Sequence, residues 1–321
     1  MTAVSRRAKV WVALWTVYII WGSTYLGIEL AGETMPGFFA AGVRFTTAGL
    51  LLLGFIAWRR GGRALRATRA ELLSAAVVGL LLPGANSLLF VTEQHVPIGL
   101  TSLIIAAVPL WVLLLRLVAR ERPDLASSIG LVVGFGGIAL LVKPGGGSGS
   151  LGYLLITVAA SFMWALGSFL APRIPVPRDA LVATGYEMLA GGLVLLVVGL
   201  VAYSPSQLDP SSWSGRSFFG LAYLIVFGSI VGYTAYSWLL ANAPIGQVST
   251  YAYVNPVVAI ALGVIVLDES LTLRIVAGAL LILVSVAIVL RRETRAAAAL
   301  EAGEVVRADG HSGQLAPARR S

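Results

Sequence analysis

Long uninterrupted runs of apolar residues recur along the chain, and they constrain its fold more than any other feature. Each run has about 20 residues, the length that an α-helix needs to cross a bilayer. Hydrophobic residues make up 58% of the chain and charged residues only 12%, so a water-soluble fold would expose too much apolar surface. This composition excludes a water-soluble enzyme, and it excludes disorder for the body of the chain. The sequence predicts an integral membrane protein.

The runs predict an all-α fold with ten transmembrane helices, called spans 1 to 10. They lack the alternation of a membrane β-barrel. The predicted spans cover residues 11–29, 37–58, 71–91, 98–118, 126–142, 151–171, 180–202, 216–240, 247–267 and 272–290. A glycine-rich joint, 144–150, separates a first half (11–143) from a second half (151–290). We interpret residues 1–10 as a cytoplasmic N-terminus and 291–321 as a disordered cytoplasmic tail.

The basic residues predict the orientation, because lysine and arginine accumulate on the cytoplasmic side of membrane proteins. With both termini cytoplasmic, all but four of the 23 basic residues lie in cytoplasmic loops or tails. The exceptions are Arg44, Lys143, Arg216 and Arg274. The net charge of +8 is therefore a topology signal, and no nucleic-acid partner is predicted. Abundant arginine, alanine and glycine are typical of a GC-rich bacterial genome, so we expect a multi-pass protein of a bacterial inner (plasma) membrane.

An internal repeat relates the two halves of the chain. The segment 96–102 (VPIGLTS) matches 243–249 (APIGQVS), and the same offset of 147 carries Pro109 onto Pro256. Earlier in each half, Trp21 matches Trp164 and Arg44 matches Glu187 at an offset of 143. Because each repeat has five spans, an odd number, the two repeats are predicted to be inverted in the membrane. Inverted repeats are typical of transporters with alternating access.

The chain resembles the EamA-type group of the drug/metabolite transporter superfamily. The matching segments are 21–25 (WGSTY), 43–45 (VRF), Pro97-Ile98-Gly99 to Pro109, and 251–256 (YAYVNP) to Glu269. The resemblance covers about residues 10–290 and implies ten helices around a central substrate cavity. It also implies export of small metabolites such as amino acids or, alternatively, drugs. Spans 5 and 10 are then expected at the periphery.

Two charged residues lie deep inside predicted spans, where charge is costly. Arg44 lies about eight residues into span 2, roughly 12 Å deep at 1.5 Å per residue. It could attract an anionic substrate or cap carbonyl groups of neighbouring helices. Glu187, in span 7, could carry a proton or form a packing hydrogen bond.

Polar and aromatic side chains at helical spacing predict a substrate cavity. Gln247, Tyr251 and Asn255 align at i, i+4 and i+8 on span 9, which is hard to reconcile with a lipid-facing surface. The aromatic face of span 1 could stack on a planar or cationic ligand. The predicted lining residues are Tyr18, Trp21, Thr24, Tyr25, Arg44, Asn86, Trp164, Ser168, Tyr233, Tyr236, Gln247, Tyr251 and Asn255.

Other polar or helix-breaking residues have more than one interpretation. Pro83, Pro109 and Pro256 each remove a backbone hydrogen bond within a span, so they predict hinges or fixed kinks. Glu93 and His95 precede Pro97, and we interpret them as a helix cap in preference to a catalytic or metal-binding pair. Gly130 and Gly134 form a Gly-x-x-x-Gly pattern, which could pack within one protomer or in a homodimer.

The sequence predicts a secondary exporter of small molecules and not an enzyme. It contains no cysteine and two histidines, so no metal site or cofactor is predicted, and the expected partners are substrate and membrane lipid. It also lacks the phosphate-binding loop of ATP-driven pumps. The alternatives are a membrane-embedded enzyme acting on a lipid-linked substrate, and a facilitator or channel without ion coupling.

Overall fold

The structure, a computed structural model, describes residues 6–121, 125–142, 151–243 and 245–312. Within these ranges it contains helices and no β-strand. The first eight α-helices are α1 (Arg6–Gly32), α2 (Gly37–Arg60), α3 (Arg69–Thr92), α4 (Ile98–Ile105), α5 (Val108–Val118), α6 (Leu125–Val142), α7 (Leu151–Leu170) and α8 (Ala180–Ala202). They are followed by α9 (Gly215–Tyr223), a π-helical segment (Leu224–Val231), α10 (Gly232–Asn242), α11 (Ile245–Val248), α12 (Tyr251–Val266) and α13 (Leu273–Ser312). Short 3-10 turns cover Gly62–Leu65, Ala171–Arg173 and Pro210–Ser212.

Three predicted spans are interrupted in the structure. Span 4 is divided into α4 and α5 by a turn at Ala106 and Ala107, two residues before Pro109. Span 8 passes through the π-helical segment. Span 9 is divided into α11 and α12 by a turn at Ser249 and Thr250. These breaks free backbone groups in the middle of the bundle, which membrane helices tolerate only where protein or a cavity covers them.

Nine helical stretches of the described chain are long and apolar enough to cross a membrane. Tyr251–Val266 is also apolar but has only 16 residues. Large apolar side chains such as Leu73, Val201 and Trp58 lie on the outside of the bundle. An outer surface of this kind suits lipid and not water, so the fold is that of a helical membrane protein.

The two ends of the bundle carry different sets of charged residues. One end, which we call the glutamate end, carries Glu29, Glu93 and Glu269. The other, the arginine end, carries ion pairs that join separate helices: Arg60–Asp179 at 2.5 Å, and Glu121 with Arg116 at 2.5 Å and Arg173 at 2.8 Å.

Close packing of α2 against α8 joins the two halves. A Cβ atom on Gly192 of α8 would lie within 2.8 Å of backbone atoms of Phe45 and Thr46 on α2. A Cβ on Gly49 of α2 would lie 2.8 Å from the backbone nitrogen of Leu189. Small residues allow helix backbones to approach closely in membranes. We call this contact the glycine seam; it also includes Gly42, Gly185 and Gly199.

The pair Gly130 and Gly134 packs within one chain. These residues of α6 face Ser285 and Val289 of α13. The pattern is therefore used between α6 and α13, the helices of spans 5 and 10.

The last helix is longer than expected. A disordered tail was expected from residue 291, but α13 continues to Ser312. Alanine, glutamate and arginine are strong helix formers, and the run Ala296–Leu300 with its neighbours is rich in them. The tail prediction therefore does not match the structure over 291–312, and its remainder, 313–321, lies outside the described residues.

Candidate substrate cavity

A cavity lies in the middle of the bundle, between the first and second halves. The centre of a water molecule can move through about 130 Å³ of it, far more than one buried water needs. Its walls come from α1 to α5, α7, the π-helical segment, α10 and α12. The lining residues are Trp21, Thr24, Tyr25, Ile28, Arg44, Phe45, Ala85, Asn86, Leu89, Ser102, Ile105, Ala106, Val108, Pro109, Trp164, Gly228, Tyr233, Tyr251, Ala252, Asn255 and Pro256.

Arg44 is the charged residue of the cavity wall, and it is only 3% exposed. Its Nη1 donates to Asn86 Oδ1 at 2.7 Å, and its Nε donates to Ser229 Oγ at 3.2 Å. The guanidinium carbon lies 4.7 Å from the centre of the Phe45 ring. Throughout the described chain, no carboxylate lies within ion-pair distance of Arg44. Neutral dipoles thus hold a buried positive charge that has no counter-ion among the described residues.

Trp21 packs against three tyrosine residues, two of which, Tyr233 and Tyr251, also line the cavity. The Trp21 ring centre lies 5.2 Å from that of Tyr233, 5.0 Å from that of Tyr236 and 5.3 Å from that of Tyr251. Tyr236 and Tyr251 meet edge to face at 5.6 Å. Such ring pairs hold one another in place. The cluster therefore offers a rigid aromatic surface to a ligand.

The π-helical segment connects this aromatic cluster to Arg44. Its Gly228 carbonyl accepts a hydrogen bond from Trp21 Nε1 at 3.2 Å. Its Ser229 side chain accepts the bond from Arg44. A Cβ on Gly228 would lie 3.0 Å from the Thr24 methyl group and 3.2 Å from Arg44 Nη2. π-Helical turns are frequent at functional sites, and this one positions two of the cavity's polar side chains.

The structure brings nine of the thirteen predicted lining residues to the cavity wall. They are Trp21, Thr24, Tyr25, Arg44, Asn86, Trp164, Tyr233, Tyr251 and Asn255. Asn255 Oδ1 is buried there with no hydrogen-bond partner among the described residues, so it is available to a ligand.

The other four predicted residues lie elsewhere. Tyr18 makes a short hydrogen bond to Thr250 and packs below the cavity with Leu14 and Leu239. Ser168 Oγ donates to the carbonyl of Trp164, one turn back in its own helix, at 2.9 Å. Tyr236 touches Trp21 and Tyr251 from behind.

Gln247 is absent from the wall because the helix is broken. The prediction assumed one continuous helix through Gln247, Tyr251 and Asn255. The turn at Ser249 and Thr250 places Gln247 on the separate helix α11, so the i, i+4 spacing no longer aligns it with the other two.

Two of the three predicted hinges line the cavity, and the predicted proton carrier does not. Pro109 and Pro256 line the cavity, whereas Pro83 lies against Gly191 of α8. Glu187 is half-buried on α8 and is not a lining residue. Its carboxylate makes no hydrogen bond within the described ranges, and it lies within electrostatic range of Tyr233.

Sequence analysis missed several lining residues. Ser102 is one of them, and its position in the repeat (Ser102 and Ser249) was the available signal. Gly228, which lines the cavity, and Ser229, which bonds Arg44, gave no signal, since nothing in a continuous apolar run indicates a π-helical turn. The small residues Ala85, Ala106 and Ala252 create the space itself.

Carboxyl groups lie above the cavity at the glutamate end. Glu269 accepts hydrogen bonds from the backbone N–H groups of Ile98 at 2.6 Å and Gly99 at 3.2 Å. Burial raises the pKa of Glu269, and these two bonds act against that effect. Glu93 is 3% exposed. Burial and the neighbouring carboxylate of Glu29 raise the pKa of Glu93 well above its ordinary value, while Arg44 acts in the opposite direction.

The helical membrane fold and the central cavity with its buried arginine are those of a helical membrane transport protein, and comparison with known proteins gives the family. The sequence model of the EamA-like transporter family matches residues 10–143 and 150–291. This chain belongs to the EamA-like transporter family. It is a membrane transporter and a multi-pass inner membrane protein.

Relatives from bacteria and a plant are similar to this chain over most of its length. The chain is 38% identical over 253 residues to the uncharacterized inner membrane transporter YedA of Escherichia coli, covering 78% of this chain and 80% of YedA. It is 27% identical to the uncharacterized transporter YvbV of Bacillus subtilis, covering 84% and 88%. It is 28% identical to a WAT1-related chloroplastic protein of Arabidopsis thaliana, covering 87% and 69%.

A solved crystal structure shares the fold. The TM-score is 0.59 at 19% sequence identity, over 88% of this chain and 96% of the other.

Proposed function

We propose that this chain is a secondary transporter that exports small metabolites carrying a carboxylate, such as amino acids and related compounds, by alternating access. The halves would be two inverted five-helix repeats forming ten transmembrane helices. The direction, export, follows from the family resemblance described above. The remaining parts of the proposal are supported by features of the structure.

The unpaired guanidinium of Arg44 carries the proposal. Burying a charge is costly unless it is paired, and Arg44 is held in the cavity wall by neutral side chains alone within the described chain. A substrate carboxylate would supply the missing counter-ion through charge-assisted hydrogen bonds. Arginine is well suited to this role, because its planar fork matches a carboxylate.

The rest of the wall favours a small, partly apolar substrate. Trp21, Tyr233 and Tyr251 offer ring faces and edges, and Asn255 offers a free carbonyl oxygen. This combination of apolar surface with a few polar groups is typical of small-molecule sites.

Matching helix ends in the two halves support the inverted repeat. Arg120 follows the end of α5 with φ 63°, and Asp268 follows the end of α12 with φ 54°. A left-handed residue at this position is a common way to end a helix. A glutamate comes next in each case, Glu121 or Glu269. Glu269 bonds α4 of the other half, whereas Glu121 pairs with Arg116 and Arg173. In alternating access the two repeats exchange conformations, so equivalent residues are expected to make unequal contacts in any one state.

The charges at the two ends support cytoplasmic termini. Arg6 lies at the arginine end, where its Nη2 donates to the carbonyl of Asn242 at 3.2 Å. The glutamate end carries three carboxyl groups near the cavity. By the positive-inside rule, the arginine end faces the cytoplasm.

The competing functions have less support. A membrane-embedded enzyme needs convergent catalytic groups, but the His95 ring stacks on Tyr153 at 3.9 Å, with its Nδ1 3.3 Å from the carbonyl of Val91. No specific observation favours an open channel, because large aromatic side chains, Trp21, Tyr233 and Tyr251, line the cavity.

Efflux from proteoliposomes tests the proposal. The vesicles would contain an equimolar pool of amino acids, organic acids, sugars and small cationic drugs, with mass spectrometry of the contents over time. We expect selective loss of compounds with a carboxylate, at least tenfold faster than from empty vesicles. Arg44→Gln should abolish that selectivity. The control, Arg60→Gln, removes an exposed ion pair and should preserve it. Equal loss of sugars and carboxylates, or selective transport by Arg44→Gln, would contradict the proposal.

A further inference from the structure

Glu93 is a buried carboxyl group directly above the substrate cavity. Asn86 and Leu89 of α3 line the cavity, and Glu93 follows Leu89 by four residues, so it lies on the same helix face one turn nearer the glutamate end. Seven residues separate it from Asn86, about 10 Å along the axis. Neither of its carboxyl oxygens has a hydrogen-bond partner in the described part of the chain. The place of Glu93 at the end of α3 does not account for the burial of its side chain, because a residue that caps a helix does not need a buried carboxyl group.

The charged and titratable groups around Glu93 come from three elements. Tyr25 and Glu29 face it from α1, Arg44 faces it from α2, and Glu269 faces it from the segment after α12. On its own segment, the nearest titratable residue is His95, whose ring is stacked on Tyr153 of α7.

The other two carboxyl groups of the glutamate end are already bonded. Glu29 accepts from Gln94 Nε2 at 3.2 Å, and Glu269 accepts from two backbone N–H groups. Glu93 differs from both because neither of its oxygens is bonded to any of the residues that the structure describes.

A free buried carboxylate is unstable unless it binds a positive charge or a proton. Glu93 lies at the C-terminal end of α3, where the helix dipole also disfavours a negative charge. Arg44 is engaged by Asn86 and Ser229 and does not reach it. Glu93 therefore holds a proton in this structure until a cationic group displaces it or water reaches it.

We propose that Glu93 is the proton-binding group of this transporter, and that a proton and the ammonium group of a zwitterionic substrate compete for it. The substrate carboxylate would bind Arg44 in the cavity wall, and its ammonium group would reach Glu93, one helix turn beyond the lining residue Leu89. This inference rests on the proposed function and narrows its substrates to amino compounds.

The exchange of charges is balanced. When substrate binds, the O–H bond of Glu93 breaks, the proton leaves to water on the cytoplasmic side, and an N–H···O⁻ hydrogen bond forms. When substrate leaves on the other side, water there returns a proton to Glu93. One proton enters for each substrate molecule exported, so a proton gradient directed inward drives export.

Infrared spectroscopy of the reconstituted protein tests the proton-binding part, with the proton alone as the probe. The carbonyl stretch of a protonated carboxyl group would be recorded as pH is raised. Wild-type protein and Glu33→Gln, an outer glutamate paired with Arg216 at 3.2 Å, should share a band that Glu93→Gln lacks. A Glu93→Gln spectrum that superimposes on the wild-type spectrum would overturn the inference.

Transport under a pH gradient tests the competition. The readout is the ratio of amino acid efflux with an inward gradient of one pH unit to efflux at equal pH. A one-unit gradient corresponds to a factor of about ten, so we expect a ratio of several-fold for wild type and Glu33→Gln. The ratio should fall to about one for Glu93→Gln and recover in Glu93→Asp.

Each result decides a different part. A gradient response that survives in Glu93→Gln and disappears in Glu187→Gln would assign the proton to Glu187 and overturn the inference, as would a wild-type ratio of one. If wild-type vesicles release nothing from the pool, the proposed function and the competition both fail. The infrared band then still decides whether Glu93 binds a proton.

Discussion

The hydrogen bonds of Glu269 join the two halves of the chain at the glutamate end, and removing its charge should open that end. Glu269 follows α12 in the second half, and its carboxylate accepts from Ile98 and Gly99 at the start of α4 in the first half. Glu269→Gln keeps the shape of the side chain. It also replaces one acceptor oxygen with an NH₂ group, which faces an N–H donor.

The magnitude follows from those two bonds. A hydrogen bond to a charged group contributes about 1.5–3 kcal/mol, and a carboxylate at a helix N-terminus adds about 0.3–1 kcal/mol. Glu269 is only partly buried, so water screens it and replaces part of what is lost. We expect a net loss of about 1–2 kcal/mol in the state that is closed at this end. That corresponds to about a 5- to 30-fold change in the equilibrium between closed and open states.

The assay uses the absence of cysteine from the chain. Ser102→Cys places a single thiol in the cavity wall, one turn beyond Gly99. A membrane-impermeant maleimide added from the glutamate end of oriented vesicles reports access to it. With Glu269→Gln, the labelling rate should rise about 5- to 30-fold.

The neighbouring acid provides the control. Asp268 is exposed and makes no bond to α4, and asparagine also tolerates its left-handed backbone, so Asp268→Asn should leave labelling unchanged. An unchanged rate in Glu269→Gln would refute the reasoning. So would an equal increase in both variants, which would indicate general loosening.

Two further predictions concern stability. Gly192→Ala places a methyl group against the backbone of α2 and should destabilise the protein by about 1–3 kcal/mol, lowering the thermal transition in detergent. Gly54→Ala, where nothing lies within 4 Å, should raise the transition slightly or leave it unchanged. Arg116 and Arg173 hold the pKa of Glu121 below its ordinary value. A lowered pKa stabilises the fold above the ordinary glutamate pKa, and that contribution is lost as pH falls. The thermal transitions of wild type and Glu121→Gln should therefore differ at neutral pH and converge in acid; a constant gap would contradict this.

Sequence reasoning predicted the helical membrane fold and the family, because apolar run length and the motifs near Trp21 and Pro97 are local signals. It also placed Arg44, Asn86 and Tyr251 near one another, because burying polar groups in a bilayer leaves few alternatives to a shared cavity. These predictions depend only on the composition of the chain and on the spacing of its residues.

The parts that could not be predicted depend on departures from ideal helices. The turn at Thr250 removes Gln247 from the face it would share with Asn255, and the π-helical segment brings Ser229 to Arg44. Glu93 is the C-cap of α3, in agreement with its interpretation as a helix cap, but only the packing of other helices shows that its carboxyl group is buried. The proton role of Glu187 stays a prediction, to be decided together with that of Glu93.

The glycine seam has a mechanical consequence. Where two helices meet through larger side chains, these side chains interdigitate, so the helices must separate before one can rotate against the other. Where Gly49 and Gly192 bring two backbones together, the surfaces are nearly smooth and can turn while remaining in contact. If α2 and α8 are equivalent helices of the two repeats, they lie at the centre of the pair. The two halves of the bundle could then rotate relative to each other about the glycine seam, while α2 and α8 stay closely packed.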